Sequence, residues 1–304
     1  MHISNTALLT YPWANASLGV PCPAAPPALC NWTLADHAAA TAAQPSSKVV
    51  FVEVAVAPAE WLVEAKWVQG LADAGGAGAV LGAIVAQPPP GFGLPGADLP
   101  ALAAALDELA ALPLARGVRG SALNFSDAAA LPTAIAHTRL LAARRLSLDV
   151  ITNVGAPGAA DGILALARAL PEATLILDHV GEAPVLGPPA GMDDWRAAMQ
   201  RLGAQPNIYC KLGGIFQFYK STQTLPTLEQ VRPLVETTVR AFGYERAVYE
   251  ANWFFVNWLA PPRLDVASLW IAMLRDILDG MGATRQQRDE VYALGGARAY
   301  RVQL

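Results

Sequence analysis

The chain repeats one unit, a short apolar stretch followed by a longer stretch with helical spacing of its apolar residues. Seven such units recur at intervals of about 30 to 40 residues, which is typical of right-handed β-α-β units around a parallel sheet. The predicted strands are 49–54, 79–85, 117–124, 146–151, 174–179, 207–212 and 246–250. The predicted helices that follow them are 58–74, 100–112, 131–145, 159–170, 193–202, 227–242 and 267–278.

This repeat leaves two architectures to weigh. An open, doubly wound sheet could hold seven strands, but the glycine-rich phosphate loop of dinucleotide-binding domains does not follow the first strand. A closed barrel needs an eighth strand, whose place is before Val49, and the only candidate ends at Met1-His2. We therefore predict an α/β fold of the (β/α)₈ TIM-barrel type and leave open whether its first strand is missing.

We predict one domain over residues 1–304. The segment 8–48 carries Pro12, Pro21, Pro23, Pro26 and Pro27, a density of proline that predicts an irregular excursion. The segment 284–304 is predicted to form a C-terminal helix.

Composition narrows the functional classes. Apolar residues make up 54% and charged residues 15% of the chain, as in a globular protein with a large core, and the net charge of −4 gives no reason to expect nucleic acid or an anionic membrane. Cys22, Cys30 and Cys210 form no Cys-x-x-Cys motif, and no signal peptide or membrane span is recognisable. We expect a cytoplasmic protein that acts on a small-molecule substrate. Whether the chain forms a homodimer is left open.

Active sites of such barrels are built at the carboxyl ends of the strands. Polar residues at or near the predicted strand ends are His2, Glu53, Gln87, Arg119, Asn124, Asn153, His179, Tyr209, Lys211, Tyr219, Glu250, Asn252 and Trp253. His179 closes an apolar run, so function is favoured over a buried, satisfied histidine. Two roles are open for Lys211. It could act on the substrate, as a base or as a cation that binds a carboxylate, or it could form an ion pair with a neighbouring acid such as Glu250. His37 and His137 are expected to be structural.

Five motifs together resemble the amidohydrolase-related family, and more closely its branch of sugar-lactone and dicarboxylate-lactone hydrolases. They are Tyr11-Pro12-Trp13, Leu177-Asp178-His179-Val180-Gly181, Tyr209-Cys210-Lys211-Leu212-Gly213-Gly214, Tyr249-Glu250-Ala251-Asn252-Trp253 and Gly295-Gly296-Ala297-Arg298-Ala299-Tyr300-Arg301. The resemblance covers essentially the whole chain and implies a TIM-barrel hydrolase. Because one scaffold hosts many chemistries, it predicts the fold more strongly than the substrate.

The resemblance also shows where this chain departs from the family. Relatives begin with a strand ending in Asp-x-His-x-His, and counting back from Tyr11 places the second histidine on His2, so the first strand and the first histidine would lie before Met1. A misassigned start codon or a shortened protein would explain this. Asn153 stands in the region where many relatives carry a histidine, and Asn252 stands where many carry an aspartate.

These departures leave His2 and His179 as the metal ligands that the resemblance implies. Asparagine is a poor ligand for catalytic zinc, so we expect either that no cofactor is required or that a divalent metal such as zinc binds weakly. In a mechanism without a metal-activated water, the predicted catalytic residues are His179, Lys211, Glu250 and Asn252. His179 and Lys211 would polarise a lactone carbonyl, and Glu250 or His2 would direct the water. Arg119, Asn124, Asn153, Tyr209 and Trp253 are the predicted substrate-binding residues.

The leading prediction is thus a hydrolase that opens a lactone or related carboxylic ester of a small acid or sugar acid. Two alternatives remain. One is a decarboxylase or other lyase acting on an unsaturated or aromatic acid, and the other is a catalytically impaired barrel that binds a small acid or a partner protein.

Overall fold

The computed structural model of the chain describes residues 1–13, 31–42, 46–120, 122–222, 224–254 and 266–304. Much of the proline-rich segment, including Cys22 and Cys30, lies outside these residues. Cys210, the third cysteine, is buried with a free thiol.

Seven parallel strands form one sheet in which each strand pairs with the next along the chain. They are β1 (Val49–Val52), β2 (Leu81–Ala86), β3 (Ala115–Arg119), β4 (Ser147–Val150), β5 (Leu175–Leu177), β6 (Ile208–Leu212) and β7 (Ala247–Tyr249). The predicted number, direction and order of the strands are confirmed. The strands are short and mostly buried, as expected where helices cover one face and the sheet curls around the other.

Helices connect the strands and pack outside the sheet. The α-helices are Leu34–Ala40, Trp61–Asp73, Leu99–Ala110, Leu131–Ala143, Ala159–Ala169, Pro189–Gly203, Leu228–Phe242, Val266–Gly280, Arg285–Asp289 and Gly295–Tyr300, with a π-helical turn at Glu290–Leu294 and 3-10 segments at Pro58–Glu60, Gly76–Val80, Ala128–Ala130 and Ile215–Thr222. No helix of the described residues is long and apolar enough to cross a membrane.

Two predicted boundaries need correction. The segment 8–48 is not irregular throughout, because Thr33 and Asp36 form a reciprocal capping box that starts the helix Leu34–Ala40. The C-terminal segment is helical from Arg285 to Tyr300, but the four residues after Tyr300 leave the helix.

Met1 and His2 occupy the space between the two edge strands. The Met1 amino group donates to the Val50 carbonyl at 3.0 Å, and the Val52 amide donates to the Met1 carbonyl at 3.0 Å. On the other side, the His2 amide donates to the Trp253 carbonyl at 2.6 Å, beyond the end of β7. Because these two consecutive residues reach both edges, the sheet curls almost into a barrel.

The interior of the curled sheet is filled from below by the C-terminal helix. Ala299 and Tyr300 pack against Val52, Val85 and Ile176 in the space that the strands enclose. A cavity of about 360 Å³ is lined by Met1, by residues of β1 and β7, and by Lys211 and Glu250, so it reaches the charged interior.

Candidate active site

The chain after β5 takes an unusual path that places His179. His179, Val180, Gly181 and Glu182 all have positive φ angles, of 48°, 49°, 67° and 53°. The left-handed conformation costs roughly 1–2 kcal/mol for each residue other than glycine, so the surrounding structure must hold this turn in place. Strained backbone of this kind clusters at functional sites, which supports the interpretation of His179 as a functional residue.

His179 forms a buried pair with Glu250. Its Nδ1 lies 2.7 Å from Oε2 of Glu250, which follows β7, and the two side chains are 3% and 8% exposed. Burial disfavours the charged imidazole, but Glu250 outweighs burial and raises the pKa of His179 above its ordinary value. Burial acts on Glu250 too, yet His179 and Lys211 leave the pKa of this carboxyl well below its usual range. The pair therefore consists of a carboxylate and an orientated imidazole.

The backbone at Gly214 passes very close to the His179 imidazole. A side chain at Gly214 would place its Cβ 2.2 Å from Nδ1 of His179, and Gly214 itself has a φ of +65°. Only glycine meets both demands at once. The Gly213-Gly214 sequence after β6 thus fixes the position of the histidine ring.

Lys211 lies at the centre of a group of buried carboxylates. Its Nζ is 2.7 Å from Asp149 Oδ2, 2.6 Å from Asp178 Oδ1 and 3.6 Å from Glu250 Oε1. The contact with Asp178 is an ion pair without hydrogen-bond geometry, since neither oxygen of Asp178 has a hydrogen-bond partner among the described residues. Burial opposes the ammonium, but Asp149 and Asp178 raise the pKa of Lys211 well above its ordinary value. Lys211 is thus held as a cation among neighbouring acids, and its role toward a substrate stays a prediction.

Asp149 extends this network toward the base of the barrel. The hydroxyl of Tyr300 donates to Asp149 Oδ2 at 2.8 Å, so that oxygen accepts from both Tyr300 and Lys211. Burial raises the pKa of Asp149 to about 6, although Lys211 acts in the opposite direction. The C-terminal helix therefore contributes a hydrogen-bond donor to the charged interior.

Arg119 is held at the end of β3 by Glu53. Its Nε donates to Glu53 Oε1 at 2.5 Å and its Nη2 donates to the Glu53 carbonyl at 3.0 Å, while Nη1 is 3.7 Å from Asp178 Oδ2. Burial lowers the pKa of the guanidinium, but Glu53 and Asp178 outweigh it and leave the pKa raised. Arg119 thus adds a second fixed positive charge to the group around Asp178.

His2 and Asn252 belong to a hydrogen-bonded series across the top of the site. Nε2 of His2 lies 3.0 Å from Asn252 Oδ1, Asn252 Nδ2 donates to Gln217 Oε1 at 3.3 Å, and Gln217 Nε2 donates to Glu182 Oε1 at 3.3 Å. Nδ1 of His2 contacts the Val52 carbonyl at 2.8 Å. Burial and nearby positive groups lower the pKa of His2 well below its ordinary value.

Other predicted residues lie apart from this group. Asn124 is exposed in a turn, because β3 ends at Arg119 and not at residue 124, and its Oδ1 accepts from the Ser126 amide. Asn153 caps a turn by accepting from the Gly155 amide. Tyr209 points into the interior one layer below Lys211, beside the packed residues of the C-terminal helix. The structure therefore gives these three residues local structural contacts.

Trp253 also makes packing contacts. Its indole is fully buried and packs edge-on against Trp32, His37 and Phe254. Trp32 in turn stacks on Phe254 with ring centroids 5.1 Å apart. These rings join the first loop to the chain after β7, and the buried position of His37 agrees with its predicted structural role. His137 is likewise buried, and its Nδ1 accepts from the Gly93 amide.

The donor set does not fit a catalytic zinc. Among the described residues, no three His, Cys, Asp or Glu side chains are grouped so that they could hold a metal ion. The carboxylates that converge in the barrel do so on Lys211, and one ring nitrogen of His179 is engaged by Glu250. Position 252 offers an amide in place of a carboxylate, and zinc prefers thiolate, imidazole and carboxylate ligands.

The sequence interpretation missed several members of the site. Asp149 and Gln217 contact the predicted residues Lys211 and Asn252, and Tyr300 and Glu182 contact Asp149 and Gln217 in turn; none of these four was assigned a role from the sequence. Asp149 had a detectable signal, since it is the one charged residue inside the apolar strand β4 and needs a partner when buried. Tyr300 was part of a motif of the resemblance but was given no role, and Gln217 had no signal, because the loop that carries it reaches the site only through tertiary packing.

A curled parallel sheet with charged groups at its carboxyl end defines a TIM-barrel-like member of the α/β class. The Amidohydrolase family model matches residues 29–300, so the chain belongs to this family. The prediction of the family is thus confirmed.

Three relatives are informative. The chain is 31% identical over 217 residues to protein y4mH of Sinorhizobium fredii, covering 67% of this chain and 66% of that protein. It is 27% identical over 147 residues to an L-fucono-1,5-lactonase of Burkholderia ambifaria, covering 48% of each. The matches thus span less than two thirds of these relatives' lengths. A zinc-bound amidohydrolase structure from Burkholderia multivorans has a TM-score of 0.76 at 19% identity, covering 99% of this chain and 97% of that one, which shows the shared fold.

Proposed function

We propose that this chain hydrolyses lactones or related carboxylic esters of small acids. The observation that carries the proposal is the buried pair of His179 and Glu250, held beside the ammonium group of Lys211. Ester hydrolysis needs a base to activate water and a positive group to stabilise the oxyanion that forms. The arrangement supplies both within one group of strand ends.

His179 is the proposed base. Glu250 has too low a pKa to accept a proton from water, but it contacts Nδ1 and so fixes the ring and stabilises the imidazolium that forms. Nε2 then takes the proton from the attacking water. This refines the prediction from sequence, in which Glu250 or His2 directed the water and His179 polarised the carbonyl.

Lys211 and Arg119 are the proposed electrostatic groups. Lys211 would stabilise the oxyanion, and Arg119 would bind a substrate carboxylate through Nη1, which lies 3.7 Å from Asp178 Oδ2, while Glu53 engages its other two nitrogens. A cavity of about 360 Å³, within the range of small-molecule pockets of about 300–1,000 Å³, reaches Lys211 and Glu250, but its lining does not include His179 or Arg119. The lactonase among the relatives supports a lactone as the substrate class.

A pH-indicator screen tests the proposal, because opening a lactone releases a proton. Sugar lactones and dicarboxylate lactones are each incubated with the wild-type chain and with Glu250→Gln and Lys211→Met. We expect turnover of at least one lactone, reduced about 10²–10³-fold in both variants. The matched controls Glu108→Gln and Lys66→Met change an exposed ion pair with a separation of 3.7 Å and should keep full activity.

Two results would contradict the proposal. Release of carbon dioxide from unsaturated or aromatic acids, without lactone opening, would identify the decarboxylase alternative. Binding of small acids by calorimetry without any turnover would identify an impaired barrel. Thermal unfolding of each variant, compared with wild type, separates loss of chemistry from loss of fold.

A further inference from the structure

Three arginines meet at the amino end of β3 and β4, opposite the carboxyl ends of the strands, where His179 lies. Arg116 lies in β3, Arg145 comes shortly before β4, and Arg301 follows the last helix. Nη2 of Arg301 donates to the Arg116 carbonyl at 3.0 Å and also to the Arg145 carbonyl. Nε of Arg116 donates in return to the Arg301 carbonyl at 3.4 Å. These hydrogen bonds hold the three residues together as one basic cluster.

The basic cluster has no acidic partner. None of its guanidinium groups forms an ion pair with a carboxylate of the described residues. The neighbouring Arg144 is different, since its Nε and Nη2 donate to the two carboxylate oxygens of Asp107 at 2.8 and 2.9 Å. Burial lowers the pKa of Arg116 and of Arg301, and the other arginines of the cluster add to that effect. The cluster is therefore a concentration of uncompensated positive charge in a chain whose net charge is −4.

The basic cluster also has unused hydrogen-bond donors. Nη1 of Arg116 donates to the carbonyls of Pro113 and Ala115, both at 2.8 Å, which leaves its Nη2 without an acceptor in the described part of the chain. Arg301 donates through Nη2, which leaves its Nη1. Arg145 is exposed, and its guanidinium donates to no other residue that the structure describes. Because a guanidinium is always charged and only donates, these groups can bind only an acceptor from outside the chain.

The backbone gives independent support for a role of these side chains. Arg145 and Arg301 each follow a helix and have positive φ angles of 56° and 53°. In both places the arginine amide donates to the carbonyl three residues earlier, and the next amide donates to the carbonyl five residues earlier. Glycine is the usual residue at this position of a helix end, because other residues are strained there. A cation is favourable at one helix end, but that attraction does not offset the repulsion among three arginines.

We propose that Arg116, Arg145 and Arg301 bind a phosphate group at the amino end of the barrel. A phosphate has enough oxygens to accept from all three guanidinium groups, and it supplies the negative charge that the basic cluster lacks. Arginine suits this ligand because its planar fork of donors matches the spacing of phosphate oxygens. The same group is present in inorganic phosphate and in phosphorylated small molecules, so the experiment separates these two sources.

A bound phosphate would join three parts of the fold. The strand β3 carries Arg119, β4 carries Asp149, and the last helix carries Tyr300, whose hydroxyl donates to Asp149 at 2.8 Å. Because the basic cluster lies at one end of each of these elements, we expect phosphate to stabilise the folded state. The inference does not rest on the proposed hydrolase, since binding and stability are measured without a substrate.

Calorimetry with inorganic phosphate tests the proposal on the full-length chain near neutral pH, with sodium chloride keeping the ionic strength constant. We expect one site per chain and a rise of the unfolding temperature by a few degrees. Arg145→Gly is the decisive variant, because glycine relieves the positive φ and should leave the fold intact. It should bind phosphate roughly 10–100-fold more weakly, and Arg145→Lys, which keeps the charge without the fork, should lie between.

Arg139→Gln is the matched control. Arg139 is exposed on the helix Leu131–Ala143, which precedes Arg145, so this variant removes the same charge outside the basic cluster. It should leave the affinity for phosphate unchanged. Absence of phosphate binding to the wild-type chain would overturn the proposal, as would an unchanged affinity in folded Arg145→Gly. An equal thermal shift with sodium chloride alone would also overturn it, because the effect would then be general screening.

A second titration with glycerol phosphate identifies the source of the phosphate group. Tighter binding than that of inorganic phosphate, lost again in Arg145→Gly, would support a phosphorylated small molecule as the ligand. Binding of inorganic phosphate alone would support the free anion.

Discussion

Nδ1 of His179 lies 2.7 Å from Oε2 of Glu250, although 71 residues separate them in the chain. One residue follows β5 and the other follows β7, so the curled sheet brings them together across β6 and Lys211. Each partner shifts the pKa of the other in the direction that favours charge. The relationship therefore links the stability of the fold to the protonation of the proposed base.

The first prediction concerns the pH dependence of this pair. The raised pKa of His179 stabilises the folded state fully below its ordinary value of 6.5, and this contribution is lost as the pH rises through the raised value. The lowered pKa of Glu250 stabilises the fold above 4.5, and this contribution is lost only in strong acid. We expect Glu250→Gln to reduce the free energy of unfolding by about 3 kcal/mol near pH 5.5 and by less above pH 8. Urea unfolding at several pH values measures this difference.

The same pair should control the pH profile of activity. A base must be neutral, so kcat/KM of the wild-type chain should rise with pH and reach half its maximum above pH 6.5. Without the carboxylate, the midpoint in Glu250→Gln should fall to a lower pH, along with the rate. Identical midpoints in the two proteins would show that another group is the base.

A second prediction concerns the charge balance around Lys211. Removing this cation leaves Asp149, Asp178 and Glu250 without their shared partner in a buried site. Lys211→Met should therefore reduce the free energy of unfolding by about 3–5 kcal/mol. Adding Asp149→Asn should recover part of this loss, because one uncompensated carboxylate is removed. A double-mutant cycle by urea unfolding tests this coupling, and strictly additive losses would contradict it.

A third prediction isolates the role of Gly214. Gly214→Ala combines a positive φ with a Cβ that would lie 2.2 Å from the His179 ring, whereas Gly282 has a φ of +71° with nothing within 4 Å of its Cβ position. Gly282→Ala should cost about 1 kcal/mol through the backbone alone and leave activity intact. Gly214→Ala should cost more and abolish lactone hydrolysis, because the ring must move. Equal losses in stability and activity would mean that the close contact has no special role.

Much of the architecture could be predicted from local pattern. Apolar runs such as Leu175–Leu177, each followed by a helical stretch, are enough to identify the parallel strands and their order. Strand-end position also identified His179, Lys211 and Glu250, which the structure brings into contact. These inferences succeed because strand direction forces the carboxyl ends of all seven strands to one side of the sheet.

The remaining parts depend on contacts distant in sequence. The length of β3 misled the interpretation of Asn124, because the chain leaves the sheet at Arg119, where the guanidinium binds Glu53. Tyr300 reaches Asp149 from 151 residues away, at the end of the helix Gly295–Tyr300. Pairing of buried charges is decided by three-dimensional packing, which no local pattern encodes.

The last prediction concerns metal. The resemblance to the family implies His2 and His179 as ligands; Nδ1 of His2 faces the Val52 carbonyl and Nδ1 of His179 contacts Glu250, so each ring could offer a metal only its Nε2. Asn252 replaces a carboxylate beside them, and a catalytic zinc needs about three good protein ligands. We expect the purified chain to hold less than one equivalent of divalent metal, and chelator to leave its activity largely unchanged.

Elemental analysis and activity assays before and after chelation measure this directly, with Asn252→Asp as the comparison. The aspartate supplies an anionic oxygen at the position that lies 3.0 Å from Nε2 of His2, so this variant should bind zinc more tightly than the wild-type chain. One tightly held zinc per wild-type chain, with activity lost on its removal and restored on its return, would reject the prediction. Water activation would then belong to the metal instead of His179.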